Sequence, residues 1–163
     1  MDRMTARTFN GPLEAGVRSV ALLVAAYPAA YDIRQLTIFD YLLVRTSELD
    51  GPESLHPPSP IQSPDATVRR KIVQDGIDLM ISRSLICREP SLAGITFVAG
   101  DAAAPFLDSL SSPYLERMKE RADWIAGYFK DRPQEAIAET VQEIFDNWVA
   151  EFQDLERSWG ASA

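Results

Sequence analysis

This chain of 163 residues has almost no cysteine or histidine: Cys87 and His56 are its only examples. A single cysteine cannot close an intramolecular disulfide, and one thiol with one imidazole cannot supply a zinc site or a redox pair. Cys87 falls on a predicted strand, with no sequence neighbour to lower its pKa, and reads as a small buried side chain. His56 lies far from it in a proline-rich stretch and reads as a structural or loop-capping residue rather than a general base.

Other absences narrow the field further. There is no Gly-Lys-Ser/Thr phosphate loop, no Gly-x-Gly-x-x-Gly after a strand and no Gly-x-Ser-x-Gly elbow. Nucleotide binding and serine hydrolysis therefore lack their usual anchors. The expectation is a non-enzymatic protein with no catalytic residue, cofactor, metal or small-molecule substrate. The longest apolar run, Val20 to Ala26, is far too short to cross a bilayer, and the residues around Arg3 and Arg7 lead into no cleavage pattern. No membrane partner and a reducing cytoplasm are expected.

What is present suits a folded globule: 46% hydrophobic and 25% charged residues separate the chain from a disordered tail. The net charge of −8 is uneven, with −2 in residues 1–60, +1 in 61–98 and −7 in 99–163. An acidic surface repels a phosphate backbone, so only the middle third could meet nucleic acid.

Helical signals dominate. Gly11 and Pro12 open a first helix, with Glu14 at the positive end of its dipole and Leu13, Val17, Val20, Ala21 and Val24 as its buried face. Pro28 stops it. Asp32 and Gln35 form a capping-box start for a second helix through Ile33, Leu36, Phe39, Leu42 and Leu43. A third, capped by Ser63 with Pro64 at its first position, runs through Val68, Ile72, Val73, Ile77 and Met80 to about Ser84. Two short strands, Leu85 to Glu89 and Ile95 to Val98, then make a hairpin across a five-residue loop, Pro90 to Gly94. Helix, helix, helix, hairpin is the order of a winged helix-turn-helix.

Beyond the hairpin, Asp101 is expected to cap a short helix reaching Leu110, and Ser112 and Pro113 start another. That helix buries Leu115, Met118, Ala122, Ile125 and Phe129 and leaves Glu116, Lys119, Glu120 and Asp123 in water. A last helix from Pro133 carries Ile137, Val141, Ile144, Phe145, Trp148, Val149, Phe152 and Leu155 on one stripe, read as packing on the preceding helix. The predicted class is mainly α (α+β). Residues 1–100 form a winged-helix-like core with a small hairpin wing, and residues 101–163 a helical arm packed on it.

Two surfaces are candidates for contact. The first is the proline-rich loop 47–62, with Pro52, Leu55, His56, Pro57 and Pro58, where a stiff backbone loses less entropy on docking; Leu55 and Ile61 should pin it to the core. Trp159, near the chain end, is a further candidate interface residue. The second is the basic triplet Arg69-Arg70-Lys71 on the third helix, extended by Arg83 and Arg88 around the wing. In a DNA-binding winged helix this helix enters the major groove. Asp65, Asp75 and Asp78 offset the field of the triplet, which puts a solvated or protein-contacting role ahead of DNA.

Three segments carry a resemblance: Phe9 to Gly16 (FNGPLEAG), Phe39 to Val44 (FDYLLV) and Gly51 to Pro58 (GPESLHPP). Arg69-Arg70, Ser82 to Ile86 and Phe106 to Leu110 extend it. The chain resembles the middle component of bacterial ABC-three-component systems, to which Lamassu-type anti-phage defence is related. The resemblance implies an adaptor without catalytic residues, partnered by an SMC-like ATPase subunit and an effector subunit; the rival reading, from Arg69-Arg70-Lys71, is a winged-helix DNA binder, either a regulator or a DNA-sensing subunit, with DNA a secondary partner.

Overall fold

The computed structural model describes residues 11–56, 66–92, 94–133 and 135–140, and the single positions 142, 143, 146, 147, 150, 157 and 160. Helix α1 spans Pro12–Ala26 and begins at Gly11, with Pro12 in its first turn. Its apolar residues surround more of the helix than one stripe could hold. Ala15, Val20, Ala21, Leu22 and Leu23 are all buried, while Leu13, expected inside, is 54% exposed. Leu13 sits in the first turn and lines an open cavity rather than the core.

Helix α2, Ile33–Leu43, starts with the expected capping box: the Asp32 carboxylate accepts from the Gln35 amide and the Gln35 side chain accepts from the Asp32 amide. A 3-10 turn, Thr46–Leu49, follows. Helix α3, Ala66–Ser82, turns Val73, Ile77 and Met80 inward and leaves Val68 half exposed. It ends in a Schellman arrangement, with Leu85 N–H on Met80 C=O, Ser84 N–H on Ile81 C=O, and Ser84 in the left-handed region at φ 63°. That reversal feeds the chain directly into the hairpin. The expected caps Ser63 and Pro64, and the expected anchor Ile61, lie outside the described residues.

The hairpin pairs β1, Ile86–Ser91, with β2, Gly94–Ala99, from Ile86 opposite Ala99 to Ser91 opposite Gly94. The turn is therefore two residues long rather than five, and Pro90 lies within a strand. A two-stranded sheet has outer edges where a residue without an N–H costs no ladder bond. Ile86 and Phe97 face the core, but Cys87 is exposed, which corrects its expected burial. It pairs with Val98 across the hairpin.

Helix α4, Ala103–Asp108, is flanked by Ala102, and no side chain caps it, so Asp101 does not act as expected. Helix α5, Pro113–Lys130, is capped by Ser112, whose hydroxyl accepts from the Leu115 amide. It buries Met118, Ala122, Ile125 and Phe129. Lys119, expected in water, instead donates to the carbonyls of Leu107, in the last turn of α4, and of Leu110 just beyond it, at 3.2 and 2.8 Å, where a helix C-terminus favours a cation. Residues 135–140 are helical, with Ile137 buried. Among the described residues the architecture is mainly helical α+β with one two-stranded antiparallel hairpin.

Helices α1 and α3 cross at near backbone contact: a Cβ on Gly16 would lie 2.7 Å from the carbonyl oxygen of Gly76. One buried cluster joins these helices to α2 and α5, where the Phe39 and Phe129 rings lie 4.8 Å apart.

Candidate functional site

Each of the first three helices sends one charged side chain to a common point. Arg18 of α1 donates from Nε to Asp40 Oδ1 at 2.6 Å and from Nη2 to Oδ2 at 3.4 Å, and both side chains are buried. Arg69 of α3 brings Nη1 within 3.7 Å of the same carboxylate. The guanidinium groups of Arg45 and Arg69 also lie over the Tyr41 ring, at 5.0 and 5.1 Å from its centre. The Tyr41 hydroxyl donates to Glu48 at 2.9 Å.

Burial opposes charge at each of these groups, and their partners decide the balance. Burial would lower the Arg18 pKa, but Asp40 outweighs it and holds the guanidinium above its ordinary value. Arg69 is lowered, first by burial and then by Arg18 and Arg45, with Asp40 acting against the shift.

The proline-rich loop closes over this cluster. Its His56 Nε2 lies 2.9 Å from the Tyr114 hydroxyl of α5. Burial, followed by the charges of Arg18 and Arg45, lowers the His56 pKa to about 4, so the ring is neutral near pH 7. Tyr114 also hydrogen-bonds Arg18. Arginine can only donate, so the Tyr114 oxygen accepts from Arg18 and its O–H is available to a neutral His56 Nε2.

Two more anchors lie along the same α5 helix. Arg121 Nε donates to the Glu53 carbonyl at 3.0 Å, and the Trp124 ring packs so closely on Gly51 that a Cβ there would sit 2.5 Å from it. From the other side, Thr46 Oγ1 donates to the Pro52 carbonyl at 2.7 Å and the His56 amide to Val44 C=O at 3.2 Å. Residues 51–56 are thus held in one conformation with Glu53 exposed and the rest half-buried. Beside them, a cavity of about 310 Å³ opens between the first turns of α1 and α5, lined by Leu13, Glu14, Val17, Ser112 and Leu115.

The nominated residues divide accordingly. Pro52, Leu55 and His56 belong to the clamped loop, with Leu55 packed on the core as expected. Pro57, Pro58 and Trp159 lie outside the described residues. Arg69, nominated for DNA, turns inward to Asp40 and Tyr41 and belongs to the same cluster as His56, because its own helix face packs on α2. Arg70, Lys71, Arg83 and Arg88 are exposed, and Lys71 pairs with Asp75 at 3.5 Å. Among the described residues no three metal-binding side chains gather, and no helix is long and apolar enough to cross a membrane.

Sequence reasoning missed Arg18, Asp40, Arg45, Tyr41 and Tyr114. A signal was present: one arginine within the apolar run of the first helix, and one aspartate within Phe39-Asp40-Tyr41-Leu42 of the second. Opposite charges on two core-facing surfaces mark a buried pair.

The sequence model of one protein family, ABC-three component (ABC-3C) system Middle Component 2, matches residues 8–151. The chain belongs to that family. As an ABC-3C middle component it implies the other components of such a system, and the match takes in the whole cluster and the clamped loop. No curated protein and no solved structure matches the chain.

Proposed function

We propose that this ABC-3C middle component is a non-catalytic adaptor in a bacterial defence complex, joining an SMC-like ATPase to an effector. Membership of the family supports partners within one system, and the same resemblance supports a relation to Lamassu-type defence. The observation that carries the adaptor reading is the loop of residues 51–56, fixed to α5 through Gly51, Glu53 and His56. A contact surface formed before its partner arrives gives up less conformational entropy on docking. We read the helix, helix, helix, hairpin order as a winged helix put to protein contact. We place the complex in the cytoplasm, where an exposed thiol such as Cys87 stays reduced.

Co-expression with the ATPase and effector, followed by mass measurement, tests this. The expected result is one assembly holding all three. The pair Tyr114→Phe and Arg121→Ala, which releases the loop without altering it, should weaken the assembly about tenfold. Joining of ATPase and effector without this chain, or turnover by the chain alone, would sink the reading. DNA contact is the competing outcome. It prevails if alanine at Arg70, Lys71 and Arg83 abolishes a steeply salt-dependent DNA retention and leaves the assembly intact.

A further inference from the structure

The hairpin carries a second, unused set of backbone hydrogen-bonding groups. Tyr31 N–H donates to Phe97 C=O at 3.0 Å and Phe97 N–H to Tyr31 C=O at 2.8 Å, so the polar groups of Phe97 face away from β1. Opposite residues of an antiparallel pair either exchange both bonds or neither. Arg88, opposite Phe97, therefore also turns its N–H and C=O away from β2. The same parity applies to Ile86 opposite Ala99 and to Pro90 opposite Ile95, while Cys87, Glu89 and Ser91 bond inward. The Gly100 amide on Leu85 C=O, at 3.0 Å, continues that inward series.

The outer edge of β1 thus presents the N–H of Arg88 and the C=O groups of Arg88 and Pro90, while the same groups of Ile86 lie in a residue only 2% exposed. Among the described residues no backbone group bonds to them. Cys87, Arg88, Glu89 and Pro90 are all exposed, so among the described residues nothing covers the strand from Cys87 to Pro90. At its end Leu92 is fully exposed, with Ile95 half exposed beside the turn.

We propose that β1 receives an additional strand from a partner subunit: an extended segment running antiparallel, with an acidic residue opposite Arg88. Such an edge selects its occupant through the backbone and through the side chains set across from it. A second copy of this chain is a poor occupant. Two-fold pairing about Arg88 would set two guanidinium groups directly opposite each other, and Pro90 would remove a donor from each side. A carboxylate opposite Arg88 turns the same position to advantage. Leu92 and Ile95 offer an apolar landing at the turn end of the segment. The proposal rests on the reading of the chain as an assembling subunit and specifies how one contact is made.

Amide hydrogen exchange on the full chain, alone and within the complex co-purified with the other two components, reads the edge directly. The Arg88 amide should exchange rapidly in the free chain and about tenfold or more slowly in the complex. Arg88→Pro deletes a donor that the hairpin itself does not use, so circular dichroism and Tm should hold while affinity falls about tenfold. Arg88→Glu keeps the donor, reverses the charge and should also weaken binding. A complex in which the Arg88 amide stays unprotected, or in which Arg88→Pro binds at wild-type strength, overturns the proposal and leaves the adaptor reading standing. Should Arg88→Pro fail to fold, amide protection in the wild-type complex decides alone. Absence of any complex overturns both.

Discussion

Arg18 grips both carboxylate oxygens of Asp40 across the α1–α2 contact, with the two side chains 5% and 2% exposed. A pair this deeply buried is costly to break on one side, because the remaining charge is left without compensation. Asp40→Ala should destabilise the fold by about 3–5 kcal/mol. Arg18→Met with Asp40→Leu should cost less than Asp40→Ala alone, even with Arg69 left over. Urea denaturation of the two single variants and the double variant measures the coupling.

Gly76 and Gly127 should respond in opposite directions to alanine. A Cβ at Gly76 would run into the Pro12 carbonyl oxygen and the Gly16 backbone, whereas one at Gly127 meets nothing within 4 Å. Gly76→Ala should lose about 1–3 kcal/mol through overpacking. Gly127→Ala, in an exposed helical position, should gain about 0.5–1 kcal/mol. Thermal unfolding of both variants reads the two signs.

His56 makes stability depend on pH. Its folded pKa of about 4 lies below its ordinary 6.5, so the unfolded chain binds more protons between those values. The contribution of the neutral ring is complete above the upper value and is lost as pH falls toward the lower one. In His56→Gln, which keeps a hydrogen-bonding group for Tyr114, Tm should fall less between pH 6.5 and pH 4 than in the wild type. An equal fall in both proteins would contradict a neutral, buried His56.

Helix α5 belongs to the same core as the helices before the hairpin. Phe129 is 2% exposed and touches Phe39 of α2. Phe129→Ala should destabilise by about 3–5 kcal/mol. A chain ending at residue 100 should lose cooperative unfolding, because α1 and α2 would then expose the surfaces that α5 covers. Near-ultraviolet circular dichroism of that shortened chain reports the outcome.

Local chemistry was well legible in the amino acids. The Gly11 and Pro12 start, the Asp32 and Gln35 box, the Ser112 cap and the helix, helix, helix, hairpin order all depend on residues within a few positions of one another. Such signals act before any distant segment arrives. Leu55 was legible for a related reason, as an apolar residue in an otherwise polar loop.

The burial of particular residues was less legible. Periodicity placed Leu13 inside and the hairpin pattern placed Cys87 inside, and both are exposed: which side of an element is covered depends on the remote elements packed against it. The five-residue turn was inferred from Pro90, whose missing N–H falls where the ladder does not require it.

By itself, then, the sequence determined where α1, α2 and α5 begin and which stretches supply a core. Tertiary structure decided the rest: that Arg18, Asp40 and Arg69 meet, that His56 is held neutral on Tyr114, and that one edge of β1 is left open. Capping is an exchange between neighbouring atoms, whereas charge burial and edge exposure depend on which remote elements come to lie alongside.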